Sequence, residues 1–198
     1  MLFQKIQQLV HRKIRAKKLG IKFNRVASFQ LPQQLIVQGK RHQVNVPSEK
    51  GMNGEFIEVL LDDCYGVEQL SESQMKIIDV GANVGLFPIA ARNRFPQAVI
   101  HAYEPNPYLE NSLKHQSKIA NFTYFMEAVG DRDGKVVLDI REVSGKTRST
   151  VKLFRIKTGI IINHKSQKSQ KYASQESSKC RASQKASTSI KTRRKWRN

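Results

Sequence analysis

Three carboxylates, Asp79, Glu104 and Glu127, each lie at or near the end of a short apolar run, and the first is followed by a glycine turn in "IIDVGANVGLF" (Ile77 to Phe87). Gly81 lets the backbone bend sharply and come close to a ligand without a side chain in the way. Gly85 lets the next helix begin close to the strand, and the first turn of that helix offers free N–H groups to acceptors. The sequence Gly81-Ala82-Asn83-Val84-Gly85 lacks the middle glycine of a dinucleotide fingerprint. Asp79 would also repel a pyrophosphate, at a cost of about 4 kcal/mol for like charges ~4 Å apart at an effective dielectric near 20. A cofactor carrying a sulfonium and an ammonium turns that repulsion into attraction. The acid-first, gapped turn therefore predicts an S-adenosylmethionine site.

The next two runs extend that site. "VIHAYEPNP" ends in Glu104, placed to accept from both ribose hydroxyls, with Pro105 and Pro107 stiffening the loop that presents it. "YFMEAVGD" puts Glu127 and Ala128 where the adenine is expected, Glu127 facing the exocyclic amine and the Met126 and Ala128 backbone flanking the ring. Asp131 and Asp133 read as solvated turn acids, so the sequence names a cradle and no general base. His11, His42, His101, His115 and His164 have no ligand spacing, and neither do Cys64 and Cys180, so no metal is expected.

These residues need strands and helices to hold them. Periodicity predicts strands at Lys76 to Val80, Ala98 to Tyr103 and Phe122 to Ala128, with a fourth segment at Lys135 to Ile140. Helices are predicted at Gly85 to Phe95 and Tyr108 to Ile119, an order that gives βαβ units and a parallel sheet. Upstream, "FIEVLLDDCYG" predicts a helix from about Gly54 to Cys64. Leu35-Ile36-Val37 and Val44-Asn45-Val46 read as a hairpin around Gln38 to Arg41.

The formal charge of +19 belongs to the two ends of the chain. Residues 1–25 carry +8 with no acid, 26–154 carry −1, and 155–198 carry +12. Leu2, Phe3, Ile6, Leu9, Val10 and Ile14 fall on one helical face among lysines and arginines, with Gly20 as the stop. That stripe is expected to dock on the chain's own domain, with weak contact to a membrane surface through residues 1–18 as the other outcome. The division expected is a basic helix (1–25), a partial catalytic domain (26–156) and a basic low-complexity tail (157–198) that stays disordered. No apolar run reaches the ~20 residues of a membrane span, and no signal-peptide pattern is found, so a cytoplasmic protein is expected. A basic nucleic-acid or membrane-surface binder is the alternative. It has only Tyr172 and Trp196 as tail aromatics for stacking, so no firm nucleic-acid partner is expected.

On "DVGANVG" and "EPNP", the stretch from about Phe56 to Leu153 resembles FkbM-type methyltransferases. The resemblance implies a Rossmann-like (class I) sheet and methyl transfer from S-adenosylmethionine to a hydroxyl of a small molecule, sugar or lipid. It places Asp79, Gly81, Asn83 and Gly85 on the methionine side, Glu104 on the ribose, and Tyr65 and Gly66 near the methionine end. The acidic segment that closes the fourth strand in that family has no counterpart after Leu153. The sequence therefore predicts a truncated or frame-disrupted relative with impaired activity. Its incomplete sheet would leave the edge of the first parallel strand open to water.

Overall fold

A computed structural model of the chain describes residues 2–48, 51–71, 76–130, 134–142, 145–155 and 160–163. Its centre is a parallel sheet. The apolar runs predicted to lie at its middle form β3 (Lys76–Val80) and β4 (Val99–Tyr103), followed by β5 (Thr123–Phe125). Ile77 lies opposite Ile100, Asp79 opposite Ala102 and Val80 opposite Tyr103, while Tyr103 in turn lies opposite Phe125. The crossovers are α3 (Leu86–Arg94) and α4 (Glu110–Ala120). α4 comes after a single tight turn that Asn106 caps by accepting from the Tyr108 N–H.

The fourth position of this sheet is filled, against expectation. β9 (Ile160–Asn163) pairs in parallel with β3, Ile77 opposite Ile160 and Val80 opposite Asn163, giving the order β5-β4-β3-β9. A triplet of β-branched isoleucines has the composition of a strand, and it lies far enough from β5 to return beside β3. The edge of β3 is thus paired along these residues, and the order is that of a doubly wound, Rossmann-like sheet. The rest of the expected disordered tail, 157–159 and 164–198, lies outside the described residues.

Two further expectations change. The third strand is not continuous to Ala128. It stops at Phe125, and β6 (Glu127–Gly130) joins a second sheet, β6-β8-β7, with β7 at Gly134–Glu142 and β8 at Gly145–Arg155. β7 and β8 are antiparallel, Glu142 opposite Gly145, in place of the fourth βαβ segment. Only two residues separate them, which suits a hairpin, whereas a parallel return needs a dozen or more.

Upstream, β1 (Gln34–Val37) and β2 (Lys40–Gln43) form the predicted hairpin with its second strand earlier than expected. Gln38 (φ 49) and Gly39 (φ 77) are both left-handed, the two-residue turn that matches strand twist and sets Val37 against Lys40. The helix predicted from Gly54 starts at α2 (Met52–Phe56) and widens over Ile57–Leu61, where the Asp62 N–H donates to Ile57 O at 2.8 Å. That i→i+5 winding buries Ile57, Val59, Leu60 and Leu61 together. Phe56 and Leu61 join Leu35, Val84, Phe87, Ile89 and Leu113 in the core.

α1 (Leu2–Lys18) stops before Gly20 (φ 70) as predicted, but it docks by the face opposite its apolar stripe. Ala16 and Leu19 are buried, whereas Leu2, Phe3, Ile6, Val10 and Ile14 are exposed. The anchors are polar. Arg12 grips Asp62 with two bonds of 2.6 and 2.8 Å, and Arg15 donates to Leu61 O at 2.9 Å and to Glu68 at 2.7 Å. The carbonyl and carboxylates at the end of the widened turn thus select the arginine face of α1 over its leucine face.

Candidate cofactor cradle

The cradle forms where β3 and β4 end side by side. Gly81 (φ 78), Asn83 (φ 51) and Gly85 (φ 83) are left-handed, so the backbone after Val80 folds back on itself within five residues. Gly81 and Ala82 both donate their N–H to Tyr103 O, at 2.8 and 3.0 Å, which fixes the turn to the end of β4. Asparagine is among the few side-chain-bearing residues that tolerate this conformation. Gly85 is constrained by packing: a Cβ there would lie 3.2 Å from Leu113 and Phe122 and 3.3 Å from Gln116. Its absence lets α3 begin against α4 and Phe122, where the sequence predicts a close approach to the strand.

Glu104 is buried at the next position along β4, and both its oxygens are engaged. Oε2 accepts from the Asn83 N–H and Oε1 from the Asn106 N–H, each at 2.9 Å. The Glu104 N–H donates to Phe125 O at 3.0 Å, tying it to β5 as well. Pro105 comes next, in the loop leading to Asn106, as the sequence implied.

Asp79 is fully buried within β3. Glu55, which no sequence motif singles out, completes the acidic group: the Asn83 side-chain amide lies 2.7 Å from both of its carboxylate oxygens. The one sign of it in the sequence is an acid at the start of the helix before β3. Tyr65 lies in the same field. Burial pushes its hydroxyl well above the usual tyrosine range, and the negative charge of Cys64, Asp79, Glu55 and Glu58 raises it further. Its ring meets Phe87 edge-on at 5.3 Å, beside the first turn of α3.

Glu127 and Ala128 sit just past β5, in β6, both half-buried. Tyr103 stacks on Phe125 at 4.8 Å, and its hydroxyl is raised first by burial and then by the charge of Glu127. Asp79 thus lies one residue before the end of β3 and Glu104 directly after β4, at adjacent strand ends as expected, whereas Glu127 lies past a break at Met126, as the first residue of a strand in the second sheet. Asp131 and Asp133 lie outside the described residues. Among the described histidines, His101 packs against Phe125 at 5.5 Å and His115 bonds Gln43 O at 3.0 Å, both away from the turn. No group of three or more metal-ligating side chains occurs among the described residues.

The donor set fits a cationic cofactor. Glu55, Asp79 and Glu104 are acceptor-only when ionised, and they surround a turn whose backbone approaches closely.

The chain is 32% identical over 69 residues to "Methyltransferase 1" of Beauveria bassiana, covering 34% of this chain and 27% of that protein. It is 42% identical over 58 residues to "Methyltransferase sdnD" of Sordaria araneosa, covering 28% of this chain and 22% of that one. It thus spans about a quarter of the length of these curated relatives. Among solved structures, it is similar to a precorrin-6y C5,15-methyltransferase from Geobacter metallireducens (19% identity, TM-score 0.28, 41% of this chain and 40% of that one). It is also similar to a transferase from Pyrococcus horikoshii, PH0793 (14% identity, TM-score 0.30, 62% and 49%). The family model described as the Vibrio cholerae RfbT protein matches residues 64–194, a span that takes in Asp79, the glycine turn, Glu104, β9 and most of the basic segment beyond it. By that match, over more than half of its length, the chain belongs to the RfbT family.

Proposed function

We propose that this chain is an S-adenosylmethionine-dependent methyltransferase of the FkbM type, acting on a hydroxyl of a small molecule, sugar or lipid. The observation that carries the reading is the convergence of Glu55, buried Asp79 and buried Glu104 on the left-handed turn 81–85 at the ends of adjacent parallel strands. Similarity to two methyltransferases adds support from outside the geometry.

When bound, S-adenosylmethionine would supply an electrophilic methyl group whose leaving group is a neutral thioether. The chain's own residues bind and orient. Glu104, pre-set by the Asn83 and Asn106 N–H groups, accepts from the ribose hydroxyls. Asp79 and Glu55 hold the cationic methionine end near Tyr65, and Glu127 with Ala128 borders the adenine. The left-handed turn at Gly81 and Asn83 brings the backbone close to the ligand. Alignment of this kind accounts for much of the acceleration in a two-body displacement.

β9 fills the fourth slot but ends in Asn163 instead of the acid of FkbM-type relatives. On that ground we propose that acceptor turnover is impaired while cofactor binding is retained. Calorimetric titration with S-adenosylmethionine tests the cradle. The unaltered chain is expected to bind, and Asp79→Asn and Glu104→Gln each to weaken binding at least tenfold, about 1.4 kcal/mol. Binding that ignores both substitutions overturns the reading.

A further inference from the structure

We infer that α1 is a membrane-surface anchor, lying in the plane of an anionic lipid interface with Leu2, Phe3, Ile6, Val10 and Ile14 in the acyl boundary. The docked face of α1 is used up by Arg12, Arg15 and Ala16, so the apolar stripe is the face turned outward. Leu2 and Phe3 are 74% and 70% exposed, and Ile6, Val10 and Ile14 about half. With Leu9, these make six large apolar side chains on one outward face of a seventeen-residue helix, more than the scattered exposure normal for a soluble surface.

Charge selects the occupant. Residues 1–25 contain eight Lys/Arg and no acid. Lys13 and Lys17 continue the outward face toward the C-terminal end of α1, where a cleft of about 490 Å³ is lined by Lys13, Lys17, Lys22, Gly20, Ile21 and Phe23. Apolar residues flanked by a cationic cleft suit lipid tails and anionic headgroups together, the pattern of an interfacial helix. A second copy of this chain would set the same cationic ends against each other. No helix among the described residues is long and apolar enough to cross a membrane, so the geometry is one of lying on the surface. In the folded chain the anchor is held by ion pairs to Asp62 and Glu68, which follow the helix that carries Glu55. The inference does not depend on the methyl-transfer reading.

The test is flotation of the full chain with vesicles of equal phosphatidylserine and phosphatidylcholine, and with pure phosphatidylcholine. The stripe variant Phe3→Ser, Ile6→Ser, Val10→Ser keeps all 35 lysines and arginines, so it separates α1 from simple attraction by the basic tail. The charge variant Lys13→Glu, Lys17→Glu, Lys22→Glu probes the cleft, and circular dichroism checks that α1 persists in both. The unaltered chain is expected to float with the anionic vesicles only. The stripe variant is expected to lose binding at least tenfold, and the charge variant at least fivefold for each lysine replaced. Unchanged flotation of the stripe variant overturns the proposal. So does equal flotation with both vesicle types, or light scattering that shows a dimer which the stripe variant dissolves.

Discussion

The side-chain amide of Asn83 spans the carboxylate of Glu55, 2.7 Å from each oxygen, while the backbone N–H of the same residue donates to Glu104 at 2.9 Å. One left-handed asparagine thus holds two acids that lie 28 positions upstream and 21 downstream in the chain. Asn83→Gly keeps the φ of 51 accessible and the bond to Glu104, and removes only the hold on Glu55. Its expected result is a roughly tenfold weaker S-adenosylmethionine affinity with little change in unfolding free energy. Calorimetry beside urea denaturation separates the two. An affinity equal to the unaltered chain shows that Glu55 needs no positioning.

Glu104→Gln replaces an acceptor pair by one acceptor and one donor. The amide nitrogen must then face either the Asn83 or the Asn106 N–H, leaving a buried donor opposed. The expected cost is about 2 kcal/mol of stability even without cofactor. Urea denaturation of the two ligand-free proteins measures it. A variant as stable as the parent means that the loop relaxes and lets water replace the lost bond.

The strand ends that carry Asp79 and Glu104 are legible in the sequence because each signal is local: a short apolar run marks a buried parallel strand, and a glycine turn marks the start of the next helix. Glu55 is not, because it reaches the site only through the αL conformation of Asn83, a property of the folded turn. The docking of α1 by its polar face has a similar origin. Its stripe reads as the buried face by periodicity alone, yet Asp62, Glu68 and Leu61 O supply partners to Arg12 and Arg15 that no helical pattern encodes. The break at Met126 and the return of β9 beside β3 depend on pairing between distant segments, where single-strand propensity is weak.

Gly85→Ala meets two obstacles. The residue sits at φ 83, where a Cβ costs roughly 1–2 kcal/mol. That Cβ would also lie 3.2 Å from Leu113 Cδ1 and Phe122 Cζ, tighter than normal contact. A loss of at least 2 kcal/mol is expected by urea denaturation. A smaller loss indicates that α4 shifts readily away from α3.

Arg92 is 4% exposed and donates to Ala120 O at 2.7 Å, Asn121 O at 2.6 Å and Pro96 O at 2.6 Å. It closes the end of α4 onto the loop after α3, and burial lowers its guanidinium from the ordinary value. Arg92→Met keeps much of the volume but strips three carbonyls of their donor. The expected destabilisation is about 3 kcal/mol, with S-adenosylmethionine affinity unchanged at temperatures where the variant stays folded. Denaturation and calorimetry on the same sample decide it.

The α1 anchor should respond to acid through Glu68. Its carboxyl lies below the ordinary value of 4.5, chiefly because Arg15 donates to it, with burial opposing and the charges of Arg15, Lys18 and Arg94 assisting. A folded-state value below the unfolded one means that Glu68 adds stability above pH 4.5 and gives it up as pH falls through the lowered value. Asp63 runs the other way. Burial holds its carboxyl above the ordinary 3.8, so protonation of Asp63 favours the folded chain as pH drops. The Glu68 carboxylate is 47% exposed, so solvent screening limits its share to about 0.5 kcal/mol. Glu68→Gln should therefore be slightly less stable than the parent at pH 7 and lose less on acidification, the two urea midpoints converging below pH 4.5. A constant gap between the midpoints across that window would mean that the Arg15–Glu68 pair does not contribute to docking α1.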